Sequence, residues 1–241
     1  MKIIIAIDSF KGSLSSMAAG EAAARAAREV FPAAEVRVFP LADGGEGTVD
    51  ALTHGLGGEI VRLDVTGPLQ KPVDSRFGLL PATHTAVIEM ADAAGLPLVP
   101  GAERDPRRTT TYGLGELILA AMERGCREFI IGIGGSATND CGLGMLTALG
   151  AKFLNEEGAP VGITGGDLAA VRQIRLDGLH PTLRECRFHI ACDVTNPLCG
   201  PNGCSAVYGP QKGATPAIVE EMDAAIKAFA LLAEKKRGVS R

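Results

Sequence analysis

Between Lys2 and residue 39 the sequence spells out strand, helix, strand, and that order restricts the fold more than any other feature. Lys2–Ile7 (KIIIAI) is a short apolar run rich in β-branched Ile, ended by Asp8. The segment from 15 to 30 carries seven alanines, Ala18, Ala19, Ala22, Ala23, Ala24, Ala26 and Ala27. Alanine is the strongest helix former and has almost no bulk, so this helix packs closely on a neighbour. Ser15 or Ser16 caps it and Pro32 stops it. Residues 35–39 alternate as EVRVF, a second strand. Two strands joined through a helix lie parallel with a right-handed crossover. The expectation is an α/β protein with a parallel sheet.

The remainder divides by pattern. Residues 48–54 read as a short helix that opens from a glycine cluster. Residues 60–66, 73–77 and 85–90 are β-prone runs separated by turns such as Gly67–Pro68, which points to a mixed or antiparallel region. A second α/β domain is therefore expected to begin near residue 70, giving units 1–70 and 71–241. Thr110 or Thr111 caps a helix to Glu123, and 129–133 follows as a strand. A helix over 140–149, an edge strand at 152–154 and a strand over 187–194 come next, with 158–166 and 197–213 irregular. The last helix is well marked. Thr215 caps it, Pro216 is its first residue, Glu220 and Glu221 lie early, Lys235, Lys236 and Arg237 lie late, and Gly238 ends it.

Composition removes several classes of function. The formal net charge is −4, aromatics are 4% and there is no Trp, which argues against a nucleic-acid binder. Six cysteines without a CxxC pair argue against a zinc site and for free thiols in a reducing cytosol. The N-terminus lacks the pattern of a signal peptide, and no uncharged apolar stretch is long enough to span a membrane. The expected location is cytoplasmic.

Four polar segments carry the chemistry: DSFKGS at 8–13, ADGGEGT at 42–48, GIGGSATND at 132–140 and CDVTNPL at 192–198. Three of them follow apolar runs that read as strands, which is how an α/β protein delivers ligand loops to one edge of a sheet. Asp8 and Lys11 suit phosphoryl transfer, which wants a cation near the non-bridging oxygens and a carboxylate for a metal or a proton. They also suit a solvated turn. Asp43, Gly44, Gly45 and Glu46 place backbone amides and acids at a helix start, or simply cap that helix. Gly134 and Gly135, with Ser136, Thr138, Asn139 and Asp140, resemble an anion nest. Asp193, Thr195 and Asn196 end a strand or form a turn. Ala137 breaks the dinucleotide-binding glycine pattern, no P-loop occurs, and the four histidines are dispersed.

These segments together resemble the type-1 glycerate kinases. VTGPL at 65–69, IEMADAAGL at 88–96, TTYGLGELI at 110–118, ACDVTNPLCGPNG at 191–203 and GPQKGA at 209–214 add to the likeness, which covers essentially the whole chain. The resemblance implies a Rossmann-like parallel-sheet domain and a second α/β domain, with the active site in the cleft between them. It implies transfer of the γ-phosphoryl group of ATP, with Mg²⁺, to a hydroxyl of D-glycerate. It also implies a longer protein, in which a C-terminal segment completes the first domain.

The cleft would be lined by Asp8, Lys11, Asp43, Glu46, Ser136, Thr138, Asn139, Asp140 and Asp193, with Gly44 and Gly45. Within it, Asp193, Lys11 and Asp8 are the expected catalytic residues, and Asp43 and Asp8 the expected Mg²⁺ ligands. Partners would be small molecules, with homo-oligomerisation left open. Two other readings stand beside this one. One is a phosphatase or mutase acting on the same sugar acid, for which no D-x-D pair is present. The other is a fragment that binds glycerate or phosphate without turnover.

Overall fold

A computed structural model of the chain describes residues 1–10 and 13–237. The fold is mixed α/β. Strands β1 (Lys2–Ile7) and β2 (Glu35–Pro40) pair in parallel along six residues. Helix α1 (Ser16–Val30) crosses between them, and Ser15 accepts a hydrogen bond from Ala18 N at 3.2 Å as its cap. The Ala-rich face works as the sequence suggests. Gly20 sits so close to Val38 and Ile7 that a side chain there would collide with Val38.

Helix α2 (Thr48–Gly55) comes directly after the glycine cluster. Strands β3 (Glu59–Thr66), β4 (Pro72–Leu80) and β5 (Thr85–Glu89) then form an antiparallel run. After α3 (Ala91–Ala94) and α4 (Tyr112–Glu123), β6 (Glu128–Gly132) pairs parallel with β5. The boundary expected at residue 70 falls in the turn of the β3–β4 hairpin, whose strands pair over eight residues. Strand β3 therefore belongs to the same sheet as β4, β5 and β6.

Helix α5 (Leu143–Ala148) and the antiparallel pair β7 (Lys152–Leu154) and β8 (Gln173–Arg175) come next. Strand β9 (Arg187–Ala191) returns to β6 in parallel, completing the order β3-β4-β5-β6-β9. Helices α6 (Cys204–Tyr208) and α7 (Pro216–Arg237) finish the fold. Thr215 caps α7 as expected, and the stop assigned to Gly238 lies outside the described residues.

Strand β5 is buried throughout and shows how the layers are built. Its alternate residues point to opposite faces. Ala86 and Ile88 join Phe77, Leu117 and Phe129 in the core under α4, while Val87 packs with Val49 and Leu80 under α2. A further core joins α5 and the β7–β8 pair to α7 through Leu143, Phe153, Ile174 and Ile226.

Three elements depart from expectation. The last sheet strand ends at Ala191 rather than 194, so Asp193 stands in a loop. The helix expected from Asp140 begins at Leu143, because Asp140 is engaged in bonding the turn before it. The stretch 197–213 contains α6 and a short 3₁₀ turn, Pro210–Lys212.

Candidate active site

Residues just beyond β1, β2, β6 and β9 meet in one cavity of about 500 Å³. Its wall includes Ser9, Asp43 to Glu46, Ile133 to Ser136, and Ala191 to Val194. Cys204 and Tyr208 of α6 and Gln211 and Lys212 beyond it close the far side. Two pairs of parallel strands thus present their carboxyl ends to one space, as open α/β sheets do.

Close backbone approach makes this convergence possible. Gly44 adopts φ +94°, and a Cβ there would stand 2.7 Å from Ala191 O. A side chain on Gly132 would collide with Gly44 O. Without side chains at these positions the 42–47 loop lies directly on the ends of β6 and β9, and Gly134 N donates to Gly44 O at 3.2 Å.

The polar groups on the wall are unequal. Asp43, Glu46 and Asp193 are exposed, and Asp43 Oδ1 accepts from Gly45 N at 3.0 Å. Lys212 is different. It donates to Ser136 Oγ at 2.9 Å and to Thr138 O at 2.6 Å, and burial pushes its ammonium down to about 8. The lysine belongs to the GPQKGA segment, where the sequence alone assigns it no role. The only signal there is a lone cation between glycines.

The other sequence candidates take different places. Asp8 is half-buried at the end of β1, next to the lining residue Ser9, and its Oδ1 accepts from Ser9 N at 2.6 Å. Lys11 lies outside the described residues. Thr138, Asn139 and Asp140 sit behind the wall. Thr138 is buried and meets Lys212 through its carbonyl. Asn139 Nδ2 donates to Ser205 Oγ at 2.9 Å and so ties the loop to α6. Asp140 accepts from Thr111 N at 2.8 Å, Thr111 Oγ at 2.7 Å, Gly142 N at 3.1 Å and Gly144 N at 3.2 Å. Burial pushes its carboxyl up, against those bonds. Thr111, expected to cap α4, gives its hydroxyl to Asp140 instead. Asn196 likewise serves structure. Its amide donates to Asn202 O at 3.1 Å, and its Oδ1 accepts from Tyr208 Oη at 2.6 Å.

Beneath the glycine loop stands Glu89, the last residue of β5. It is 3% exposed and accepts from Val49 N at 2.7 Å in the first turn of α2. Burial raises its carboxyl to about 7, opposed by that amide, with Asp92 adding to the rise and Arg76 opposing it. Arg76 in turn holds Asp50 of α2 through two bonds of 2.8 and 2.9 Å, and Asp92 at 3.1 Å.

Among the described residues no group of three or more His, Cys, Asp or Glu is placed to hold a metal ion alone, and no helix is long and apolar enough to cross a membrane.

Comparison with known proteins identifies the family. Glycerate kinase of Bacillus subtilis (strain 168) is 52% identical over 99% of this chain and 62% of its own length. Glycerate 2-kinase of Escherichia coli (strain K12) is 48% identical over 98% of this chain and 62% of its own length. A crystal structure from Salmonella typhimurium LT2, assigned as glycerate kinase 2, superposes with a TM-score of 0.92 at 48% identity, covering 98% of this chain and 63% of that one. The chain therefore spans a little over three fifths of the relatives it matches. With the profile of the glycerate kinase family matching residues 3–240 and relatives at about half identity along nearly all of it, the chain belongs to the glycerate kinase family.

Proposed function

We propose that the cavity transfers the γ-phosphoryl group of ATP to a hydroxyl of D-glycerate. The observation that carries this reading is the meeting of two glycine loops, 44–45 and 134–135, with three carboxylates and a buried lysine in one space. Glycine backbone can approach phosphate oxygens closely, and carboxylates suit both a hydroxylated ligand and a metal. The names of the relatives supply the substrate.

Phosphoryl transfer is chiefly positioning and electrostatics. In this reading Asp193, on its exposed loop, accepts the proton of the attacking hydroxyl as the new O–P bond forms and the bond to the leaving ADP oxygen breaks. Ser136 and the amide of Gly135 orient the anionic groups, and Lys11 would add charge. Mg²⁺ binds through one or two carboxylates and otherwise through phosphate oxygens and water. Asp43 on the cavity wall, with Asp8 following β1, would hold such a metal arriving on the nucleotide, and that ion would neutralise charge on the phosphates.

The test is a coupled assay of ADP release, with ATP, Mg²⁺ and D-glycerate, on the enzyme expressed from its complete reading frame. Glycerate-dependent ADP formation is expected, and its absence would remove the reading. The Escherichia coli relative is named for the 2-hydroxyl, so we expect 2-phosphoglycerate, which phosphorus NMR of the product separates from the 3-isomer.

A further inference from the structure

Lys212 ends the short turn beyond α6 and faces the 133–136 loop across the cavity. An ammonium has three donors. Two are engaged by Ser136 Oγ and Thr138 O, both neutral acceptors, and one remains. Among the described residues no carboxylate stands within ion-pair distance of it. The charged and titratable groups around it are Cys204 of α6, Asp140 behind the loop, and the wall acids Asp43, Glu46 and Asp193. Asp140 is already committed to four donors. A cation taken out of water without a counter-charge costs several kcal/mol. Such sites mark function when they line a cleft, because a ligand can bring the missing anion.

We propose that Lys212 is a catalytic residue, whose remaining N–H receives an anionic oxygen of the substrate while Ser136 and Thr138 hold the ammonium in place. Which oxygen it receives rests on the kinase reading: one of the phosphoryl group in transfer, or one of the glycerate carboxylate. Its contact is made from a fixed position, so the ligand does not have to order a flexible lysine. The interaction depends on the ammonium being charged, and it weakens as pH rises past about 8.

Calorimetric binding of D-glycerate and steady-state kinetics with ATP decide the matter, measured on the enzyme from its complete reading frame and on Lys212→Met and Lys212→Arg. The range runs from about pH 7 to about pH 10, where the glycerate carboxylate stays ionised. If Lys212 meets the carboxylate, wild-type affinity falls up to about tenfold per pH unit on the alkaline side, and Lys212→Met binds at least about tenfold more weakly without that slope. If it meets the phosphoryl group, glycerate affinity is kept while kcat of Lys212→Met falls about 30- to 1,000-fold with KM little changed. In either case Lys212→Arg, charged throughout the range, restores part of the loss and removes the alkaline limb. A folded Lys212→Met that keeps both affinity and kcat within about twofold overturns the assignment. So does a Lys212→Arg enzyme with the wild-type alkaline limb. Should Lys212→Met fail to fold, the wild-type pH profile and the Arg variant still decide. Binding is read without turnover, so an enzyme that holds glycerate through Lys212 yet releases no ADP sinks the kinase reading and leaves this one standing.

Discussion

Asp140 and Asp193 belong to similar-looking polar segments and are treated oppositely by the fold. Asp140 is 2% exposed and accepts four hydrogen bonds, so Asp140→Ala would leave buried donors on Thr111 and Gly144 without an acceptor. We expect a loss of about 2–4 kcal/mol in urea unfolding, and a variant within experimental error of wild type would contradict the structural role. Asp193 is exposed on the cavity wall. Asp193→Asn should therefore unfold like wild type while kcat drops about 10²- to 10⁴-fold, as expected on removing a general base. Equal loss of KM and stability instead would make it structural. Residue type alone made both acids candidates. Sequence could not say which one turns inward, because that depends on Thr111, 29 positions away, offering its amide and hydroxyl.

At the scale of elements, α2 links the β1–β2 pair to the five-stranded sheet, and its seat is set by Glu89 and Gly44. The Glu89 carboxyl stands at about 7 against an ordinary 4.5. Between those values the folded chain holds a proton that the unfolded chain has released, so stability falls as pH rises through the window. By linkage the fall amounts to about 3 kcal/mol at most. Glu89→Gln keeps an acceptor for Val49 N and cannot ionise. Its stability relative to wild type should improve by about 2–3 kcal/mol from about pH 5 to about pH 8. Parallel denaturation curves would refute this. Arg76 and Asp92 set the field around the same carboxyl, and Asp50 of α2 holds Arg76. Gly44→Ala combines a left-handed backbone with a collision at Ala191 O. It should lift the loop from β9 and weaken glycerate binding at least about tenfold, at a stability cost of about 1–3 kcal/mol, and unchanged binding would show that the loop's seat is immaterial. The β1–α1–β2 unit was legible because Ile, Ala and alternation each signal one element. Strand β8 was not, since three residues, QIR, carry no period. Helix α6 was hidden among Gly and Pro, and it stands because Ser205 and Cys204 bond to Asn139 and Leu198.

On the scale of the molecule, the four ligand-type segments were legible as a set and their division of labour was not. Asp43, Glu46, Ser136 and Asp193 line the cavity with Gly44 and Gly45, whereas Thr138, Asn139 and Asp140 build the wall behind them. Lys212 completes the wall from a part of the chain far removed in sequence. The same sheets also leave apolar side chains in solvent. Ile4 is 60% exposed on β1, Phe39 47% on β2, and Ile190 53% on the edge strand β9. Apolar surface of this kind attracts hydrophobic dyes and partners. These 241 residues expressed alone should bind such a dye, and Ile4→Lys with Ile190→Lys should lower its fluorescence without lowering the melting temperature. Equal fluorescence would place the dye elsewhere. The central claim is that one cavity at the strand ends holds both reactants. A crystal structure of the enzyme with D-glycerate and a non-hydrolysable ATP analogue tests it directly. Glycerate and the γ-phosphate are expected between Asp43, Ser136, Asp193 and Lys212, with an anionic oxygen on the lysine, whereas either ligand bound away from these residues would contradict the account.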